Sequence, residues 1–159
     1  MWPLRPVTIV RYRPEPLPGA ARTVGIDRLA GALAGARAVV LMLALTPRTR
    51  KLIGRAELAA MERDAWLVNV ARGAVVDTGA LVDALRSGQI GGAALDVTDP
   101  EPLPDGHPLW DLPNCLITPH TADTEEQRKT LLGRRIAENV RRLAAGQELV
   151  GLVNPGLGY

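Results

Sequence analysis

The sequence predicts an α/β fold: a parallel sheet with helices on both faces. Five short, nearly continuous apolar runs alternate with segments of helical spacing. The runs lack the in-out alternation of a half-exposed strand, so they read as strands buried on both faces. The length of 159 residues, 47% of them hydrophobic and 23% charged, is one domain's worth of ordinary globular chain.

Val7-Thr8-Ile9-Val10 reads as the first strand, and the Pro/Gly-rich stretch from Pro14 to Gly19 as loop. Ile26, Leu29, Ala30 and Leu33 recur at helical spacing. Ala38 to Leu43 is a second strand, broken at Thr46-Pro47. Arg55 to Met61 makes a short helix with Leu58 and Met61 inward. Ala65 to Val70 is a third strand, closed by Arg72-Gly73. Asp77 caps a helix that runs through Leu85 and stops at Ser87-Gly88. Gly91 to Val97 is a fourth strand, small at its start, and Cys115 to Thr118 a fifth. A long helix then starts at Asp123 or Thr124, runs to about Ala145 and stops at Gly146. Trp66 and Trp110 are expected as core anchors, and Cys115 as an inert core thiol.

The longest apolar run, Ala38 to Leu45, is far short of the roughly 20 residues that span a bilayer. The first six residues carry no apolar signal segment, and one cysteine allows no internal disulfide and no Cys-rich zinc site. No membrane role is expected, and a reducing, cytoplasmic setting fits. Charge is uneven. Residues 1–60 carry ten Lys/Arg against three Asp/Glu, 61–126 three against twelve, and 127–159 six against two. An acidic centre between basic ends is a poor nucleic-acid footprint, which wants one continuous basic face. Arg134, Arg135, Arg141 and Arg142 read as a solvated helix face.

In open parallel sheets, ligands bind beyond the carboxyl ends of the strands. Along that edge fall Arg11-Tyr12-Arg13, Leu43-Ala44-Leu45-Thr46, Asn69 to Gly73, Asp96-Val97, Glu101 and Pro119-His120. A histidine within reach of a carboxylate is the usual proton-transfer pair, and an arginine offers a planar fork for a substrate carboxylate. His107, in the polar turn Asp105-Gly106-His107-Pro108, reads as a loop residue, and Asp96 as either a functional acid or a turn cap.

These segments closely resemble the D-isomer-specific 2-hydroxyacid dehydrogenases. The resemblance lies in Asn69-Val70-Ala71-Arg72-Gly73, Leu95-Asp96-Val97, Glu101-Pro102-Leu103-Pro104, Pro108-Leu109-Trp110, Pro113-Asn114 and Thr118-Pro119-His120-Thr121-Ala122. It extends over nearly all of residues 38–150. It implies a Rossmann-like, doubly wound parallel sheet and hydride transfer between NAD or NADP and a small 2-hydroxy or 2-keto acid. By the same resemblance Arg72 holds the substrate carboxylate, Glu101 pairs with the catalytic histidine and His120 is that histidine. Asp96 contacts the nicotinamide amide, and the backbone of Leu43, Ala44, Val70 and Ala71 lines the cofactor, with Arg72 and His120 beside it.

The family's G-x-G-x-x-G fingerprint appears nowhere in the chain, and alignment places it just before residue 1. The expected organisation is therefore a dinucleotide-binding domain lacking its first βα unit over 1–148, with a tail at 149–159 that returns toward a substrate domain outside the sequence. Ala44 stands where the family usually has proline. No acid precedes Glu15 at the end of the first strand, where arginines flank Tyr12, so NADP is favoured over NAD. A homodimer is expected. The alternatives are a non-catalytic nucleotide-binding or interaction module and an inactive fragment.

Overall fold

The computed structural model describes residues 8–11, 18–123 and 125–156. Its elements follow in chain order: β1 (Thr8–Arg11), β2 (Arg22–Gly25), α1 (Leu29–Leu33), β3 (Ala38–Leu41), α2 (Arg55–Ala60), β4 (Trp66–Asn69), α3 (Thr78–Arg86), β5 (Gly92–Leu95), β6 (Cys115–Ile117) and α4 (Glu125–Ala144). Single 3-10 turns lead into α1 and occupy Gly73–Val75 and Pro108–Asp111. The five expected strands and four helices are present within a residue or two at most ends. The expected first-strand start at Val7 and the helix start at Thr124 lie outside the described residues.

All strand pairing is parallel. β3-β4-β5-β6 form one sheet in that order, and β1-β2 form a separate pair. β2 is the strand that sequence patterning misses. Arg22-Thr23-Val24-Gly25 is too short and too polar to show a period, and it becomes a strand by pairing with β1, from Thr8 opposite Arg22 to Arg11 opposite Gly25.

The register sorts the larger sheet into two faces. Val39, Leu67, Ala93 and Cys115 lie in one row, and Leu41, Asn69, Leu95 and Ile117 in the row two residues on. This face is packed in one cluster with Leu33 of α1, Leu58 of α2 and Leu81, Val82, Ala84 and Leu85 of α3. Met61 is buried beside Leu58, as its spacing predicts. Asp77 caps α3, its side chain accepting from Ala80 N at 3.1 Å. That bond, with the Lys51 ammonium 3.1 Å away, holds the Asp77 carboxyl below its ordinary value.

The opposite rows contain Val40, Val68, Ala94 and Leu116, and Ala38, Trp66 and Gly92. Val40 is 54% exposed, Trp66 42% and Leu116 59%. This corrects the expectation of strands buried on both faces: α1, α2 and α3 join one core cluster, and the other side of the strands is open among the described residues. It also corrects Trp66 as a core anchor. Its ring lies on the open side above Gly92, where an added Cβ would meet it at 2.7 Å, which is why that strand begins with glycine. Trp110 is half-exposed too, tied at its rim by Nε1 donating to the Pro104 carbonyl at 3.1 Å. Along α4, Leu131, Leu132, Ile136, Val140 and Leu143 are exposed. The residues after α4 are held to it by Asn139, which bonds both the amide and the carbonyl of Val150.

Candidate active site

The residues expected to carry chemistry collect beyond the carboxyl ends of β4, β5 and β6, where the sheet rule places a site. β4 ends in Asn69, 1% exposed, whose amide closes the following turn from both sides. Its Oδ1 accepts from Ala71 N at 3.0 Å and its Nδ2 donates to the Arg72 carbonyl at 3.0 Å. That turn puts Arg72 at the surface, with Nη1 donating to the Ala71 carbonyl at 2.7 Å. Gly73 comes next because nothing larger fits: an added Cβ would overlap the Thr98 carbonyl. The Arg72 turn is thereby packed against the segment that leads to Glu101. Thr78 at the start of α3 holds the same segment, donating to the Asp99 carbonyl at 2.9 Å.

β6 delivers His120. Its backbone lies at φ 55, a region open to few residues with a Cβ. From there the ring nitrogen Nδ1 sits 2.6 Å from Glu101 Oε1, with both side chains partly open to solvent at 48% and 39%. The expected acid–base pair is thus brought together across 19 residues of chain. Among the described residues no hydrogen bond joins Arg72 to either partner; its segment reaches the Glu101 loop through Gly73.

Asp96 directly follows β5 and is 7% exposed. Burial alone would raise its carboxyl, but donation from Thr118, Thr121 and Ala122, with the charge of nearby His120, outweighs that and lowers it. The strip between β4 and β6 on the open side forms a groove of about 270 Å³. Val70, Leu95, Leu116 and Ala122 give it apolar walls, and Asp96, Thr118 and Thr121 a polar end. It suits a flat, mostly apolar ring with one polar edge, which fits the nicotinamide end of a dinucleotide.

The remaining expected residues are dispersed around this centre. Ala71 is buried behind the Arg72 turn. Leu43 and Ala44 lie in the loop after β3, where Thr49 Oγ1 donates to the Ala44 carbonyl at 2.7 Å. The backbone of Arg11 ends β1 opposite Gly25, while Tyr12 and Arg13 lie outside the described residues. His107 has a local role, its Nδ1 accepting from Leu109 N at 3.2 Å. It borders a groove of about 570 Å³ beside α3 that does not include Arg72, Glu101 or His120. Two acids of that groove are already paired, Asp77 with Lys51 and Asp83 with Arg55 at 2.8 Å. Sequence reading missed Asn69 and Gly73 as organisers of the Arg72 turn, although an asparagine at the end of an otherwise apolar strand, three residues before the expected arginine, was a signal.

The profile of the D-isomer specific 2-hydroxyacid dehydrogenase NAD binding domain matches residues 6–122. A glyoxylate reductase of Aeropyrum pernix is 47% identical over 112 residues, which are 70% of this chain and 33% of that protein. The crystal structure of a D-isomer specific 2-hydroxyacid dehydrogenase from Xanthobacter autotrophicus, in complex with NADPH and MES, superposes with a TM-score of 0.89 at 45% identity. The match covers 96% of this chain and 62% of that one. The NADPH-dependent glyoxylate/hydroxypyruvate reductase of Sinorhizobium meliloti, in complex with NADP and sulfate, gives a TM-score of 0.87 at 29% identity over 96% and 49% of the two chains. The chain spans about a third to a half of the length of the curated relatives it matches.

Proposed function

Because the chain belongs to the D-isomer specific 2-hydroxyacid dehydrogenase family, we propose that it carries the acid–base half of an NAD(P)-dependent oxidoreductase interconverting a small 2-keto acid and the 2-hydroxy acid. The observation that carries this reading is the 2.6 Å contact between His120 Nδ1 and Glu101 Oε1 at the carboxyl edge of the sheet. With Nδ1 engaged by the carboxylate, Nε2 is left as the nitrogen that gives a proton to the keto oxygen in reduction and takes it back in oxidation. Glu101 orients the ring through that contact. The Arg72 guanidinium, freed from the Ala71 carbonyl, pairs with the substrate carboxylate and sets the keto group toward His120. Asp96, Thr118 and Thr121 at the polar end of the groove would hold the nicotinamide, which would supply hydride to the keto carbon when bound in its reduced form. Val70, Leu95 and Ala122 keep water from that side of the ring.

NADP is the favoured cofactor. In the sequence, Arg11 and Arg13 flank Tyr12 just after the first apolar run, and no acid precedes Glu15. The Xanthobacter and Sinorhizobium relatives, described as bound to NADPH and NADP, point the same way. A pyrophosphate cradle is not encoded among the 159 residues, so the working catalyst needs a strand, G-x-G-x-x-G and helix unit and a substrate domain in addition. On this reading 1–148 form the partial dinucleotide domain and 149–159 the returning tail, and the protein works in the cytoplasm as a homodimer.

The test joins this chain to the N-terminal part of the Xanthobacter relative and follows NADPH oxidation with glyoxylate or hydroxypyruvate. Turnover is expected. Arg72→Ala should weaken both KM and kcat, and Glu101→Gln should shift the pH profile. NADPH should bind more tightly than NADH by roughly 10- to 150-fold, the worth of a charge-assisted contact to the 2′-phosphate. Absence of turnover in a folded chimera that binds the cofactor would overturn the catalytic reading. Tighter NADH binding would overturn the cofactor choice.

A further inference from the structure

We propose that Asp96 is a positioning residue, whose carboxylate clamps the loop after β6 and so holds His120 in the backbone conformation that brings its ring to Glu101. The proposal rests on reading His120 as the proton donor, and concerns what holds that donor in place. Oδ1 accepts from Thr118 Oγ1 at 2.6 Å and from Thr121 N at 2.9 Å, and Oδ2 accepts from Ala122 N at 2.8 Å. The three donors flank His120 on both sides. An ionised carboxylate offers about four acceptor positions, and three are spent on this loop.

The clamp answers two local difficulties. A histidine at φ 55 is in a sparsely allowed region and persists only where its surroundings over-determine it. The amides of Thr121 and Ala122, immediately after that residue, also need acceptors that no helix or strand supplies, and Asp96 supplies both. The anchor itself is rigid. Asp96 N donates to the Asn69 carbonyl at 3.0 Å, and Thr118 N to the Leu95 carbonyl at 2.9 Å, so the carboxylate and the loop it holds are both fixed to the sheet. Asn69 does the same for Arg72 one strand over. Two buried side chains at adjacent strand ends thus each set one functional side chain. Asp96 also lines the groove between β4 and β6, so the clamp is compatible with a cofactor contact without depending on it.

The experiment is amide exchange and nuclear Overhauser measurement on the ¹⁵N-labelled full chain, without cofactor or substrate. In the wild-type chain the amides of Thr121 and Ala122 should exchange slowly, and His120 should show the strong HN–Hα effect of a positive φ. Long-range ¹⁵N–¹H correlation of the His120 ring should report its hydrogen bond at Nδ1. Asp96→Asn removes one acceptor oxygen and the charge. It should speed exchange at Thr121 and Ala122 by about tenfold or more, weaken the His120 effect and release Nδ1, while the amides of β4 and β5 keep their protection. Thr118→Val leaves the carboxylate in place and should produce a smaller change in the same signals, which decides the matter if Asp96→Asn disturbs the sheet. Unchanged exchange and an unchanged His120 signature in both variants would overturn the clamp, as would unprotected Thr121 and Ala122 amides in the wild-type chain. An inactive chimera whose loop signals are intact would count against the catalytic reading and leave the clamp standing.

Discussion

The two faces of the β3–β6 sheet are built from strands that look alike in sequence and meet opposite fates. On one face Leu41, Leu67, Ala93 and Leu95 are at most 6% exposed under α1, α2 and α3. On the other, Val40, Trp66 and Leu116 are 42% to 59% exposed, and Met42, just past β3, is 79% exposed. The apolar character of a parallel strand records that both of its sides are suited to burial. Which side is buried depends on the helices that reach it, and that information is not in the strand. The open side is an apolar surface of the kind that soluble chains cover by association, and it contains the groove beside Asp96.

Substitution breaks or sharpens this contrast most strongly at equivalent sheet positions. Leu67→Ala, at a site with no exposure, should cost about 2–5 kcal/mol of unfolding free energy. Leu116→Ala on the open side should cost under about 0.5 kcal/mol in the monomeric chain. Denaturant unfolding of both variants measures the difference, and similar losses would abolish the distinction between the faces.

Neighbouring thiols give the next largest contrast. Cys115 points to the covered side, and burial pushes its thiol from 9.0 up to about 11. At pH 8 its alkylation by iodoacetamide should be about 100-fold slower than that of an ordinary thiol, because thiolate is the reactive form. A Cys115→Ser chain with Leu116→Cys should react at close to the ordinary rate. Equal rates at the two positions would contradict the register.

Association is the third. The wild-type chain should self-associate in sedimentation velocity through its open apolar side and the edges of β1 and β3, which pair no further strand among the described residues. Val40→Lys with Leu116→Lys should shift it toward monomer. A monodisperse wild-type monomer would remove the prediction.

The smallest effect is electrostatic. Asp77 and Asp96 both titrate below the ordinary value of 3.8 in the folded chain. The unfolded chain therefore binds these protons more readily. The stability they contribute is complete above the ordinary value and is lost as pH falls through the lowered folded values. Unfolding free energy should fall with acidification in that window, and less steeply in Asp96→Asn. An unaltered slope in the variant would show that Asp96 does not contribute.

Much of this was legible in the sequence because it is local. Asp77 caps α3 as its position predicts, Gly88 and Gly146 follow α3 and α4 at positive φ, and Leu58 and Met61 face inward. Arg72 and His120 were legible as residues just past strand ends, and Glu101 in the loop between the fourth and fifth expected strands. What was illegible depends on distant partners. β2 exists only through its pairing with β1, and Trp66 is exposed because of what does not reach it. The engagement of Asp96 by Thr118, Thr121 and Ala122 joins residues 22 to 26 positions apart. The left-handed backbone of His120 follows no propensity rule that would single it out in Thr118-Pro119-His120-Thr121.

The central claim is that proton transfer belongs to the histidine at the end of β6, and this chain's two histidines test it against each other. In the chimera with the Xanthobacter N-terminal part, single-turnover rates are measured for His120→Ala and His107→Ala. The account predicts a fall of roughly 10²- to 10⁴-fold for His120→Ala, the usual cost of losing an acid–base group, and a change within about twofold for His107→Ala, which only orders its own turn. Equal effects, or the larger loss at His107, would contradict it.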